Sequence, residues 1–443
     1  MPKIILVLLI VSVIIFNCLA YGGVTALAIT ITEGLIVFML LLWLGSMIYK
    51  RNIIFVKTGL LLPIILFLST IVFQILPLPL GLIRLLSGHT ANLYRGLIPG
   101  DAGSRFFCLS IYPNATIAEL LKFLSYIGVF FLIVNIVQTK RQFDFIINTI
   151  IFFGFFISIF GIIQKYTYSG KVYWFDSPGS AGSAFGPFVN RNNFSGYINM
   201  VIPLTLGYFF TDMPLAKRVI YGFFVVIMSL ALFLSLSRAG ILVYITALLF
   251  IVSFSRFKDS LKAEVRTLFI WILIVFSFFV FFMDAKDVWQ RLITLFQKDT
   301  FVVFGHGYSW WDVLRIWHNF PIFGTGLGTF GNISSMYKST LWQSLFTYAH
   351  NDFLQLFSET GVLGFIFISL FFIFYFKAVI KGWLKRHDSY VISMVLGGMA
   401  SICTMLVYSI LDFNLHMPAN ALLFFVIMGL VYSLVSTSFQ HAR

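Results

Sequence analysis

The chemistry in this sequence gathers in a few short polar stretches that interrupt long apolar runs. Asn190-Arg191-Asn192-Asn193-Phe194 follows Phe185-Gly186-Pro187, and Ser235-Leu236-Ser237-Arg238-Ala239-Gly240 separates two apolar segments. Ala349-His350-Asn351-Asp352 is followed by Gln355 and Glu359, and Asp412-Phe413-Asn414-Leu415-His416 comes near the end. Guanidinium groups offer forked donors that match phosphate and carboxylate oxygens. Imidazoles move protons near neutral pH, and carboxylates orient them. Arg238 is the sharpest case, because its turn is too short to carry it far into water. An ionisable group at membrane depth costs roughly 2.5 kcal/mol or more and is usually paired or functional. It either reaches headgroups, pairs with a carboxylate, or holds an anionic substrate. Asp352, Gln355 and Glu359 fall on one helical stripe, which at the top of an apolar helix must face protein or trapped water. Asp352 also reads as a helix cap, and His350 as either an interface histidine or a catalytic one.

What positions these residues is a membrane bundle. Of the 443 residues 60% are hydrophobic and only 10% charged, with a mean hydropathy of +0.96. A soluble domain carries about 25% charged residues, so lipid must be the solvent for most of this chain. Apolar runs of roughly 17–25 residues are transmembrane candidates. They fall at 3–20, 24–48, 58–80, 116–137, 143–163, 193–210, 219–237, 240–255, 267–283, 351–376, 390–411 and 418–436. The expected fold is therefore all-α, a polytopic membrane protein of about twelve transmembrane helices. Lys3 and the apolar run after it resemble a signal peptide, but a second run follows after Tyr21-Gly22-Gly23, so a helical hairpin with no cleavage is expected.

Orientation follows from the basic residues. Lys50-Arg51, Lys140-Arg141, Lys217-Arg218, the stretch 256–266 and the stretch 377–388 all fall on the same side of a twelve-span bundle. The positive-inside rule makes that side cytoplasmic, with both termini there. Residues 1–283 then carry nine spans, 351–443 carry three, and the outer segments are 81–115, 164–192 and 284–350. The last is expected to be a large helical loop before the tenth span. Trp289, Leu292, Ile293 and Phe296 recur in it at helical spacing, as do Trp310, Leu314 and Trp317 before Pro321. Amphipathic, Trp-rich helices of this kind lie at membrane interfaces.

Other signals weigh less. The net charge of +14 sits in clusters between apolar runs, so it orients the bundle, and no nucleic-acid partner is expected. Cys18, Cys108 and Cys403 are far apart, without metal-ligand spacing, and read as free thiols. Gly324-Thr325-Gly326-Leu327-Gly328 lacks the Lys and Ser/Thr of a phosphate-binding loop and reads as a tight turn. Glu33 stands unexplained inside the second span.

Taken in order, Asn190-Arg191-Asn192-Asn193-Phe194-Ser195-Gly196-Tyr197, Ser237-Arg238-Ala239-Gly240, Pro321-Ile322-Phe323-Gly324-Thr325-Gly326, His350-Asn351-Asp352-Phe353-Leu354-Gln355 and Asp412-Phe413-Asn414-Leu415-His416 resemble the O-antigen ligase and polymerase family of bacterial envelope glycosyltransferases. The resemblance covers roughly residues 180–430. It implies an inner-membrane enzyme with its active face in the periplasm. The donor would be a glycan on undecaprenyl diphosphate, and the acceptor another glycan or lipid A–core, with membrane lipids around it. It further implies inverting transfer with no metal or other cofactor. Carried over by position, Arg238 would hold the diphosphate and His350 would act as base or orient the acceptor. Arg191, Asn192, Asp352, Asp412 and His416 would join the substrate-binding rim. Family members often carry an arginine in the large loop, where this chain has His306, with Arg315 nearby, so the second diphosphate contact is open between them.

Polymerase and ligase share these motifs and differ in the acceptor, so both stand. The alternative from another class is a polysaccharide flippase or other secondary transporter. A transporter places its charges near the bilayer midplane, often between related halves, whereas here they gather at one rim. A scaffold protein leaves the convergence of Arg238, His350 and His416 unaccounted for.

Overall fold

The computed structural model describes residues 2–51, 55–56, 58–97, 106–167, 171–174, 184–261, 277, 307–338 and 347–436. In chain order the helices are α1 (Pro2–Leu19), α2 (Ala26–Tyr49), α3 (Leu61–Ile75), α4 (Leu80–Leu86), α5 (Gly88–Leu97), α6 (Pro113–Ile136), α7 (Lys140–Thr167) and α8 (Arg191–Phe209). There follow α9 (Leu215–Leu234), α10 (Arg238–Ser255), α11 (Gly307–Asn319), α12 (Phe330–Tyr337), α13 (Asp352–Leu384), α14 (Ser389–Leu411) and α15 (Pro418–Ser436). Strands β1 (Leu78–Pro79) and β2 (Phe106–Phe107) pair antiparallel beside α4 and α5.

The chain is an all-α polytopic membrane protein. Among the described residues eight helices, α2, α6, α7, α9, α10, α13, α14 and α15, are long and apolar enough to cross a bilayer, while α1 and α3 are shorter apolar helices. Eleven of the twelve apolar runs thus coincide with described helices, and the run at 267–283, residue 277 apart, lies outside the described residues. So do Trp289, Leu292, Ile293 and Phe296. Observed ends differ from the apolar runs by a few residues, most at α3, which stops at Ile75, and at α13, which continues to Leu384. Burial separates centre from periphery. In α15 89% of the apolar window is buried inside the protein, against 22% in α2.

Helix α8 lies at the centre despite its polar content, because α14 covers it. Glycines permit the contact: a Cβ on Gly207 would lie 2.8 Å from the Ser393 carbonyl, and one on Gly397 2.5 Å from that of Pro203. Small residues are the usual means of bringing backbones this close in membranes. Pro203 inside α8 has no N–H for the carbonyl of Asn199, and the Thr404 hydroxyl of α14 donates to that oxygen at 3.2 Å. Asn199 in turn donates to the Gly240 carbonyl at 3.0 Å, tying α8 to α10.

Helix α13 is broken at Gly361, whose φ is 64° and ψ −169°. The glycine-rich segment 321–328 fills the break. The Val362 and Leu363 amides donate to the carbonyls of Pro321 and Ile322, and the Thr325 and Gly326 amides donate to those of Ser358 and Glu359. Backbone groups freed by the break are satisfied in this way, as lipid or a dry interior requires. The expected tight turn is present, with Gly324, Gly326 and Gly328 all at positive φ. A Cβ on Gly324 would stand 2.3 Å from the Glu359 carbonyl oxygen. Gln74 of α3 locks the joint, donating to the carbonyls of Phe323 (2.6 Å) and Glu359 (2.8 Å).

In α11 the buried stripe is Val313, Ile316 and Phe320, not Trp310, Leu314 and Trp317, which are half-buried. Trp317 stacks on Phe357 of α13 with ring centres 4.7 Å apart, so this face packs on protein. Glu33 of α2 lies within electrostatic range of Lys122 and Glu119 of α6, which pair with each other.

Candidate active site

Five helix ends meet at one end of the bundle: the starts of α8, α10, α13 and α15 and the finish of α14. Capping defines three of them. Asn190 accepts from the Asn192 amide, Ser237 from that of Gly240 and Asn351 from that of Leu354. Each cap satisfies an amide with no partner inside its helix. Asn351 therefore caps α13, and the neighbouring Asp352 and His350 are left for other work.

The histidines and aspartates of the two outer turns pair crosswise. Nδ1 of His350 lies 2.9 Å from Oδ1 of Asp412, and Nδ1 of His416 lies 2.5 Å from Oδ1 of Asp352. Each histidine thus reaches a carboxylate roughly sixty residues away rather than the one in its own turn, which clamps α13 to the α14–α15 turn. Phe413 fills the space between, stacked on Tyr348 (4.5 Å) and edge-on to His350 (4.7 Å). His350 itself adopts a φ of 51°, a left-handed conformation that is uncommon for a side-chain-bearing residue and clusters at functional sites.

Asp412 is the hub of the first network. Its side chain is 3% exposed. Oδ1 accepts from the Phe413 amide (3.0 Å) as well as from His350, and Oδ2 accepts from the Asn192 amide group (2.8 Å). Asn192 Oδ1 in turn accepts the Ser237 hydroxyl at 2.8 Å. Because Ser237 gives its proton to Asn192, the Tyr408 hydroxyl, 2.9 Å away, donates to Ser237. Ser195, 2.7 Å from Tyr408, completes the chain. The ends of four helices and one turn are thereby joined in a single hydrogen-bonded network that converges on Asp412, to which both Asn192 and His350 donate.

The consequence for His350 is chemical. A carboxylate at Nδ1 fixes the tautomer with the proton on Nδ1 and leaves Nε2 as an acceptor. The side chain is 20% exposed, so a substrate can reach it. A histidine so held can remove a proton from a hydroxyl. The basic groups stand beside the same path. Arg238 is the first residue of α10, next to Ser237, and Arg191 is the first of α8, next to Asn192. Both are half-buried.

The second network is structural in its connections. Asp352 Oδ2 accepts from the Leu415 amide at 2.9 Å. Gln355 donates to Nε2 of His416 (3.0 Å) and to Glu359 (3.2 Å), and accepts from the Ala349 amide (2.9 Å). The buried Glu359 carboxylate accepts from the amides of Gly328 (2.8 Å) and Phe330 (3.0 Å) at the start of α12. Asp352, Gln355 and Glu359 do share one stripe, and it faces protein. Burial disfavours the charged form of His416, but its hydrogen bond to Asp352 and the charges of Asp352, Glu359 and Glu119 outweigh this and raise its pKa.

The remaining residues singled out from sequence stand elsewhere. Arg315 is exposed on α11 and reaches Asp312 at 3.5 Å. His306 lies outside the described residues. Tyr408 and Ser195, buried members of the first network, were not among the residues singled out. For Tyr408 the signal was a hydroxyl inside an apolar run, and Ser195 stood inside the Asn190–Tyr197 motif without a role of its own. Cys18, Cys108 and Cys403 are free thiols.

Residues 223–369 match the family model described as O-antigen ligase. The matched stretch runs from within α9 to within α13, so it contains Arg238, His350 and Asp352, while Arg191, Asn192, Asp412 and His416 lie outside it. No curated protein matches the chain.

Proposed function

We propose, with the chain assigned to the O-antigen ligase family, that it is a membrane glycosyltransferase working at this rim. The donor is a glycan on undecaprenyl diphosphate, and the acceptor is a hydroxyl of a second glycan or of lipid A–core. The observation that carries this reading is the hydrogen-bonded network Ser237–Asn192–Asp412–His350, converging on Asp412, with Arg238 and Arg191 next to Ser237 and Asn192 in the chain. It sets a histidine prepared as a proton acceptor at the same end of the bundle as cations suited to a diphosphate.

The chemistry needs little more. The sugar is already activated, since diphosphate is a good leaving group. The acceptor oxygen forms a bond to the anomeric carbon as the bond from that carbon to the diphosphate oxygen breaks. The electron pair leaves on the diphosphate, and the acceptor proton passes to Nε2 of His350. In-line attack inverts the anomeric centre. Preorganised charge stabilisation is commonly the largest catalytic contribution, which is the part given to Arg238, with Arg191 as a second cation. Proton removal by a positioned base adds roughly 10²–10⁴-fold, the part given to His350. A rim site leaves the polyprenyl chain in lipid while the glycan reaches water. The clustering of basic residues at the opposite end of the bundle favours an inner-membrane orientation with this rim in the periplasm and both termini in the cytoplasm.

The test is transfer by purified protein in detergent with EDTA, offering the same lipid-linked repeat unit and lipid A–core as acceptors. A ladder of longer lipid-linked glycans identifies a polymerase, and a single conjugate on lipid A–core a ligase. Lipid-linked glycan moved across a vesicle membrane with no bond made would replace the transferase reading by a flippase.

A further inference from the structure

At the opposite end of the bundle a cavity of about 1020 Å³ opens between the starts of α7, α9 and α14 and the finish of α8. Its volume is at the upper end of the roughly 300–1,000 Å³ of small-ligand sites. None of its lining residues belongs to the rim of Arg238 and His350, and nothing in the proposed transfer uses it.

The cavity carries both signs of charge. Lys140, Arg141 and Lys217 line it, all with exposed side chains, together with Asp144, Asp212 and Asp388. Asp388 is engaged as the cap of α14, accepting from the amides of Tyr390 and Val391. Asp144 is half-buried and held in place: the hydroxyls of Tyr390 (2.7 Å) and Tyr208 (3.2 Å) both donate to its Oδ1. Asn148 then donates to the Tyr208 oxygen and accepts from Tyr221. Two tyrosines from two helices thus orient one carboxylate in the cavity, and Tyr221 of a third helix supports them through Asn148. Asp212 is exposed in the turn between α8 and α9.

The third feature is apolar. Phe145, Phe152 and Ile220 line the same cavity and are 44%, 42% and 48% exposed on α7 and α9. In a bilayer those faces meet acyl chains, so the cavity is continuous with the lipid-facing surface. A simple anion would gain from the cations but lose against the carboxylates. A ligand with a phosphate, an ammonium group and acyl chains satisfies all three features. Basic pockets between transmembrane helices on the cytoplasmic side are known lipid headgroup sites.

We propose that this cavity binds the headgroup of a zwitterionic aminophospholipid. Its phosphate meets Lys140, Arg141 and Lys217, its ammonium meets Asp144 and Asp212, and its acyl chains lie along Phe145, Phe152 and Ile220. The proposal is independent of the activity at the other end.

Native mass spectrometry of the detergent-purified protein tests it, by titration with phosphatidylethanolamine, phosphatidylglycerol and inorganic phosphate. Phosphatidylethanolamine is expected to bind about tenfold or more tighter than phosphatidylglycerol, the equivalent of one charge-assisted hydrogen bond. Asp212→Asn should reduce that preference, and a Lys140→Gln/Lys217→Gln double variant should weaken both lipids. All three side chains are exposed, so folding is not at stake. Equal affinity for the two lipids, or a preference left unchanged by Asp212→Asn, would overturn the proposal. Displacement of bound lipid by inorganic phosphate alone would make this a free-anion site and overturn it equally.

Discussion

Replacing Asp412 with asparagine changes one atom and tests the whole first network. The carboxylate accepts three hydrogen bonds, from His350, the Phe413 amide and Asn192, and is almost fully buried. An asparagine has one oxygen and one amide group, so one side must present a donor to a donor. If the oxygen faces His350, the new amide meets that of Asn192. Asn192 can rotate by half a turn, but its own amide then faces Ser237, whose hydroxyl must turn away from it. If the amide faces His350 instead, the ring must move its proton to Nε2, and the base is lost. The first arrangement keeps the tautomer but removes the charge that stabilises the protonated ring. A buried donor left unmatched costs about 1–3 kcal/mol of stability, which a folded protein survives. Loss of the base contribution lowers kcat roughly 10²–10⁴-fold. The assay is steady-state transfer from an undecaprenyl diphosphate-linked glycan, with kcat and KM separated and a thermal melt beside it. A large fall in kcat with KM and folding little changed is expected. A variant with wild-type kcat would refute the role given to the Asp412–His350 pair, since no arrangement of asparagine preserves it.

Other outcomes follow from the same geometry. Arg238→Ala should reduce transfer by roughly 10²-fold or more, as for loss of a charge-stabilising donor, while Arg238→Lys retains part of the activity because charge remains without the fork; equal rates for the two would point to the fork, not the charge, as essential. Arg191→Ala should weaken transfer to a lesser degree, and normal turnover in that variant would remove Arg191 from the site. Gly361→Ala should lower the melting temperature, since a Cβ there would lie 2.3 Å from the Ile322 carbonyl oxygen and the positive φ alone costs about 1–3 kcal/mol; an unchanged melt would mean that the break in α13 is dispensable. The raised pKa of His416 makes its contribution to stability complete below the ordinary histidine value and lost as pH rises through the raised one. Melting temperature should therefore fall over that interval in the wild type and less so in His416→Gln. A flat profile would mean that Gln355, donating to Nε2, keeps the ring neutral throughout.

The bundle was legible because lipid imposes long apolar runs and leaves basic residues to mark one side. The rim was legible for the same reason, since His350, Asp352, Asp412 and Arg238 are polar where polarity is expensive. Their pairing was not. His350 and Asp352 are two residues apart, yet each binds a partner in the other turn, and only the packing of α13 against α14 and α15 sets that exchange. Gly361 gave no warning, because a glycine inside an apolar run is tolerated in an unbroken helix as well. The segment 321–328 read as a turn, but its seat in the broken helix depends on residues some thirty positions away. Tyr408 was hidden because a tyrosine among apolar residues is indistinguishable from packing until Ser195 and Ser237 are seen on either side of its hydroxyl. In α11 the tryptophans drew attention away from Val313, Ile316 and Phe320, which are the residues buried. The short helices α4 and α5 lie in or at the edge of a segment expected only as a loop, and β1 takes the end of the run 58–80 expected to be helical.

The most direct test of the central claim is chemical rescue of His350→Ala. If His350 removes the acceptor proton, the variant folds, binds the lipid-linked donor and fails to transfer it, and added imidazole restores part of the rate in proportion to its unprotonated form. Wild-type turnover by His350→Ala without imidazole would contradict the account.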